Sequence, residues 1–181
     1  MQRALVLFGS LLSACAQPSA APAPAPSPTS GVRRSGELEV RFDEPRGMTV
    51  VRVVPPTPLE AGRTHLLAGA TYPGRQARPP EEVLLGLQRS GPEWRYESCR
   101  RMAWLADGTV VHEGELSRDT QLGGGSLIEI VTVGVPFAAV GRLGGAARVE
   151  VVLCGETIAL GDGERSLLRA LVGHLATSAA K

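Results

Sequence analysis

From Glu37 onward the chain never runs far without a signal to turn. Short apolar, β-branched runs are interrupted at Pro55-Pro56, Pro79-Pro80, Ser90-Gly91-Pro92, Asp107-Gly108, Gly123-Gly124-Gly125 and Gly155-Glu156. Breaks at this spacing favour strands joined by hairpins. Strands are predicted near Leu38–Phe42, Thr49–Val54, Thr64–Tyr72, Val83–Arg89 and Trp94–Cys99. Others are predicted near Arg101–Leu105, Val110–Glu115, Leu127–Val135, Arg148–Cys154 and Thr157–Leu160. Asp107-Gly108 suits a tight hairpin turn, because both residue types tolerate positive φ.

The end of the chain has a different period. Leu167, Leu168, Leu171, Val172 and Leu175 mark one face of a helix. Asp162 is placed to cap its start, and Glu164 adds favourable charge in the first turn. A short helical turn is expected around Phe137–Gly141. The expected fold class is therefore mainly β: an antiparallel β-sandwich or barrel-like sheet with one amphipathic C-terminal α-helix.

The 181 residues, 43% hydrophobic and 20% charged, suffice for one globular domain with an appendage. The appendage lies at the start. Met1-Gln2-Arg3 carries a positive charge, Ala4 to Leu12 form a nine-residue apolar run, and Ser13-Ala14-Cys15 follow. Charge, apolar segment and small residues at a cut form the three-part layout of an export signal. The apolar run falls far short of the roughly 20 residues that span a bilayer as a helix.

Leu12-Ser13-Ala14-Cys15 resembles the lipobox of bacterial lipoproteins. That resemblance implies cleavage between Ala14 and Cys15, a diacylglyceryl group on the Cys15 thiol and, often, a third acyl chain on its new N-terminus. Two or more chains anchor stably where one does not. Ala16, rather than Asp, after the cysteine implies outer-membrane sorting, with the domain facing the periplasm or the cell surface. Ala14-Cys15-Ala16 also fits an ordinary secretory cut, which would release an unlipidated chain.

Residues 1–14 are thus read as a lipoprotein signal peptide and 15–36 as lipidated cysteine plus tether. A single β-rich domain is read over 37–181. Pro18, Pro22, Pro24, Pro26 and Pro28, spaced by Ala, Ser and Thr, cannot build a core and favour extended polyproline II. At about 3.1 Å per residue such a spacer reaches up to roughly 60 Å.

Charge excludes one class of partner. With Arg3 removed from the 19 basic residues, 18 remain against 18 acidic ones, and no basic stripe is present. Nucleic acid is not an expected partner.

The candidate sites are few. Cys99 and Cys154 are the cysteines left once Cys15 is lipidated. An even pair in an exported chain points to a disulfide, the other reading being two separately buried thiols. Trp94 and Tyr96, two apart, would share a strand face and form a binding patch; core packing is the competing reading. His65, His112 and His174 show no metal-ligand spacing, and no C-x₂-C is present, so neither metal nor cofactor is expected. His112 and Glu113 would point to opposite faces of a strand. Glu113 and Glu115 would share one, the pattern of an acid/base pair or of a solvated hairpin. Gly123-Gly124-Gly125-Ser126 lacks the following Lys of a phosphate loop, and no G-x-S-x-G surrounds a serine. No residue is assigned a catalytic role.

The second half of the chain loosely resembles uncharacterised secreted bacterial β-rich domains. The likeness rests on Trp104-Leu105-Ala106-Asp107-Gly108, Val135-Pro136-Phe137 and the strand pair before Leu167–Leu171, and it implies fold more than function. The expectation is a non-enzymatic envelope lipoprotein, held to the membrane by lipid, whose domain binds an envelope protein or serves an assembly. The alternative is an enzyme acting on envelope material through a dispersed site.

Overall fold

A computed structural model describes residues 36–56, 58–75, 79–123 and 126–176, all within one unit, Val32–Lys181. Residues 1–35, over which a signal peptide, a lipidated Cys15 and most of a tether are expected, lie outside the described residues, as do Gly124 and Gly125. Among the described residues ten strands and two helices follow one another. They are β1 (Glu37–Asp43), β2 (Met48–Val54), β3 (Thr64–Pro73), β4 (Glu82–Gly91), β5 (Arg101–Ala106), β6 (Thr109–Glu115), β7 (Ser117–Gly123), β8 (Ser126–Pro136), α1 (Phe137–Gly145), β9 (Val149–Leu153), β10 (Glu156–Ala159) and α2 (Asp162–Ala176).

Every ladder between these strands is antiparallel. One sheet has six strands in the order β1-β2-β3-β4-β8-β7, the other four in the order β10-β9-β5-β6. The fold is an antiparallel β-sandwich with helices, as the breaker pattern predicted; neither sheet closes into a barrel.

Side chains alternate across each strand. Thr49, Val51 and Val53 of β2 point inward, as do Val83, Leu85 and Leu87 of β4 and Val131, Val133 and Val135 of β8. They join Met102 and Trp104 of β5 and Val149, Val151 and Leu153 of β9 in one buried cluster. Helix α2 adds Leu168, Leu171 and Leu175 and lies against β1, β2 and β3, while α1 lies against β4, β5, β6 and β8.

The chain passes from the small sheet to the large one at Leu116, the single residue between β6 and β7, whose N–H donates to the Arg100 carbonyl at 3.1 Å. The sheets close tightly here. A Cβ on Gly114 would stand 2.6 Å from Val133 Cγ2, so only glycine lets β6 approach β8 this closely.

Two hairpins use two-residue turns with positive φ at both positions: Asp107 (49°) and Gly108 (80°) between β5 and β6, Cys154 (51°) and Gly155 (79°) between β9 and β10. This is the mirror-image turn whose twist matches flanking strands.

Four local expectations are corrected. The segment Trp94–Cys99 is a series of turns, not a strand. Gly91-Pro92 ends β4, and the Arg95 and Tyr96 N–H groups go to a side chain instead of a ladder. β7 went unforeseen because SRDTQLG has no apolar alternation; it forms as the edge partner of β8. Helix α1 runs beyond Gly141 to Gly145, burying Ala139, Val140 and Leu143, and Gly144 admits a close neighbour. A Cβ on Gly144 would lie 3.0 Å from Val172 Cγ2 of α2. The capping role expected of Asp162 falls to Glu164. Its Oε2 accepts the Gly161 N–H at 3.0 Å, while the Gly161 carbonyl accepts the first helical bond from Arg165 at 3.0 Å.

Among the described residues no helix is long and apolar enough to cross a membrane.

Candidate functional site

The Trp94–Tyr96 pair does not form a common face. Trp94 is 50% exposed, whereas Tyr96 is 2% exposed and belongs to the core, its hydroxyl 3.5 Å from Thr64 Oγ1. The reason is Glu129. This buried carboxylate projects inward from β8 and accepts the Arg95 N–H at 2.9 Å to each oxygen and the Tyr96 N–H at 3.0 Å. The two-residue periodicity of a strand is lost, and successive rings part.

The same segment is tied down elsewhere. Arg95 forms a two-pronged pair with Glu156 of β10, at 2.7 and 3.2 Å. Arg118 of β7 donates to the Glu97 carbonyl. Cys99 and Cys154 are bonded, with Cα atoms 5.2 Å apart. Trp94 is therefore an exposed ring on an anchored loop.

The remaining sequence candidates are dispersed. Glu113 is engaged by Arg101 at 2.6 Å, and Glu115 stands opposite Arg101 in the β5–β6 register. His112 faces inward, paired across the ladder with Trp104; His112 Nε2 and Trp104 Nε1 are both buried without a hydrogen-bond partner among the described residues. His174 Nε2 lies 3.3 Å from Tyr72 Oη. His65 is 6% exposed, and burial, then the nearby Arg63 charge, push its pKa below the ordinary histidine value. Among the described residues no three His, Cys, Asp or Glu side chains converge as a metal site would require.

The outer face of the six-stranded sheet carries a feature that is not legible in the sequence. Cross-strand register aligns Arg52, Gly69, Leu84 and Gly134 in one row across β2, β3, β4 and β8. The row beside it runs Leu67, Gly86, Thr132 and Ser117. Glycines at 69, 86 and 134 make a low floor. At Gly86 nothing larger fits, because a Cβ would lie 2.2 Å from the Val131 carbonyl oxygen. Leu84 stands on this floor 53% exposed, in an open trough of about 440 Å³ bordered by Val50, Thr71 and Glu82.

An outward-facing strand position is ordinarily polar in an antiparallel sheet. The one trace in the sequence is the unbroken run Val83-Leu84-Leu85, where alternation would demand a polar residue at 84. The glycines could not be aligned without the register.

No protein-family model, curated protein or solved structure matches the chain.

Proposed function

We infer that this chain is an exported, lipid-anchored protein whose β-sandwich binds a protein partner in the cell envelope. The observation that carries the binding reading is Leu84, half-exposed in a glycine-floored trough on the sheet's solvent face. A leucine there gains nothing for the core and leaves apolar area in water at a cost of about 25 cal/mol per Å². Seating a partner's apolar side chain against Leu84 over Gly69 recovers that area without moving the sheet, with the Glu82 carboxylate over Gly134 at the edge of the seat. The lipid anchor rests on Leu12-Ser13-Ala14-Cys15, and the proline-spaced tether gives the domain reach from the membrane.

Two experiments test this. Mass spectrometry of the mature N-terminus is expected to find an acylated Cys15; an unmodified chain cut at an ordinary secretory site removes the anchor. A photo-crosslinking residue at position 84 is expected to give a discrete adduct in cells, absent when the crosslinker stands at Val110, an exposed apolar position on the other sheet. Equal labelling from both positions, or none from 84, overturns the partner reading.

A further inference from the structure

We propose that Cys154 is a thiol-exchange site, at which a small anionic thiol opens the Cys99–Cys154 bond and is held as a mixed disulfide. The two sulfurs are not equivalent. Cys99 is 2% exposed and packed in the core, so an attacking sulfur reaches it far less readily than its partner. Cys154 is exposed at the tip of the β9–β10 hairpin. Its backbone sits at φ 51°, in the left-handed region that Asn, Asp and Gly occupy at least cost. A cysteine there is disfavoured by the turn itself, and at the tip its sulfur stands at the surface.

The surroundings suit an anionic guest. A groove of about 380 Å³ runs along the bond over the outer face of the small sheet, bordered by both cysteines, Ser98, Arg100, Arg101 and Glu113. Ser98 Oγ lies 3.9 Å from Cys154 Sγ. Arg101 is neutralised by Glu113 and Arg95 by Glu156, but Arg100 is exposed at the groove with no ion pair among the described residues. Its positive charge favours an incoming thiolate and any carboxylate carried with it.

The exchange is balanced as it stands. The incoming thiolate attacks Cys154 Sγ, a new S–S bond forms there, and the bond to Cys99 breaks. The electron pair stays on Cys99 Sγ, which takes up a proton. The incoming thiol is thereby oxidised to the mixed disulfide and Cys99 reduced to a thiol. Because attack is decided by access, the adduct falls on Cys154 alone. Glu129 and the Arg95–Glu156 pair hold the loop while the bond is open, so the modification is reversible without unfolding.

Glutathione serves as the probe on the oxidised full chain, with alkylation after unfolding and peptide mapping that keeps the Cys15 peptide separate. The expected product carries glutathione on Cys154 and the alkyl group on Cys99, and it forms without denaturant. Arg100→Glu, at a position whose side chain is exposed, is expected to slow glutathione about threefold or more relative to neutral mercaptoethanol at low ionic strength. Adducts shared between the cysteines, or reaction only when the chain is unfolded, overturn the site. An unchanged glutathione-to-mercaptoethanol ratio in Arg100→Glu overturns the anionic guest.

Discussion

Glu129 and Glu164 each complete a backbone that the sheets leave open. Glu129 stands in for a strand beside residues 95 and 96, and Glu164 does the same for β3. β2 pairs with β3 only as far as Arg52↔Gly69, and beyond that the Leu66 N–H donates to Glu164 Oε1 at 3.1 Å. A buried N–H left without an acceptor costs about 1–3 kcal/mol. Glu129→Ala, which strands two such groups, is expected to lower stability by at least that amount and to speed amide exchange at Arg95 and Tyr96. Unchanged exchange at those amides would show the carboxylate to be incidental. His65 supplies the pH dependence at this scale. Its folded pKa is lowered by burial first and by Arg63 second, with Glu164 and Glu60 opposing more weakly. Between the folded value and the unfolded value of 6.5, the unfolded chain therefore binds a proton that the folded one refuses. This stability is fully present above 6.5 and declines as pH falls through that window. Urea midpoints are expected to drop more between pH 7.5 and 5.5 for the wild type than for His65→Gln; parallel drops would remove His65 as the cause.

At the scale of elements, what the sequence made legible was whatever a local pattern encodes. β-branched alternation between breakers located nine of the ten strands, and the leucine spacing located α2, because both signals belong to single segments. β7 was illegible because its seven residues carry no pattern of their own and are strand only through β8. Trp94–Cys99 misled for the opposite reason: the alternation was present, but Glu129, over thirty residues away, captured the backbone. The trough on the large sheet has the same origin, since Gly69, Leu84 and Gly134 become neighbours only through the register of three strands. Helix α2 offers the element-scale prediction. Leu171 is fully buried where the helix meets the large sheet and α1. Leu171→Ala is expected to lose about 2–5 kcal/mol from the transferred methylenes and the cavity left behind. Leu167→Ala, only partly buried on the same helix, is expected to lose clearly less. Equal denaturant midpoints for the two variants would mean that α2 is not seated as described.

For the whole molecule, the disulfide is the long-range covalent tie. It joins the loop entering β5 to the hairpin of β9 and β10, residues 55 apart in the chain. Cys99 and Cys154 could be singled out from the sequence, but whether they met depended on the sheet order that sets β9 beside β5. Closing a loop of this length removes chain entropy from the unfolded state worth about 4 kcal/mol. The core does not depend on the bond, because the buried cluster runs continuously through both sheets and both helices. Replacing both cysteines by serine is therefore expected to leave a folded, cooperative domain with the wild-type denaturant slope and a midpoint lower by up to about 4 kcal/mol in free energy. Oxidised wild-type chain brought to the same state with a strong dithiol should match the double variant. If the reduced chain instead loses cooperativity, the sheets are being held together by the bond and not by their packing. If it loses nothing, the loop from Gly91 to Arg100 is already fixed by Glu129 and the Arg95–Glu156 pair. The sulfur bridge would then serve the exchange chemistry of Cys154 rather than stability.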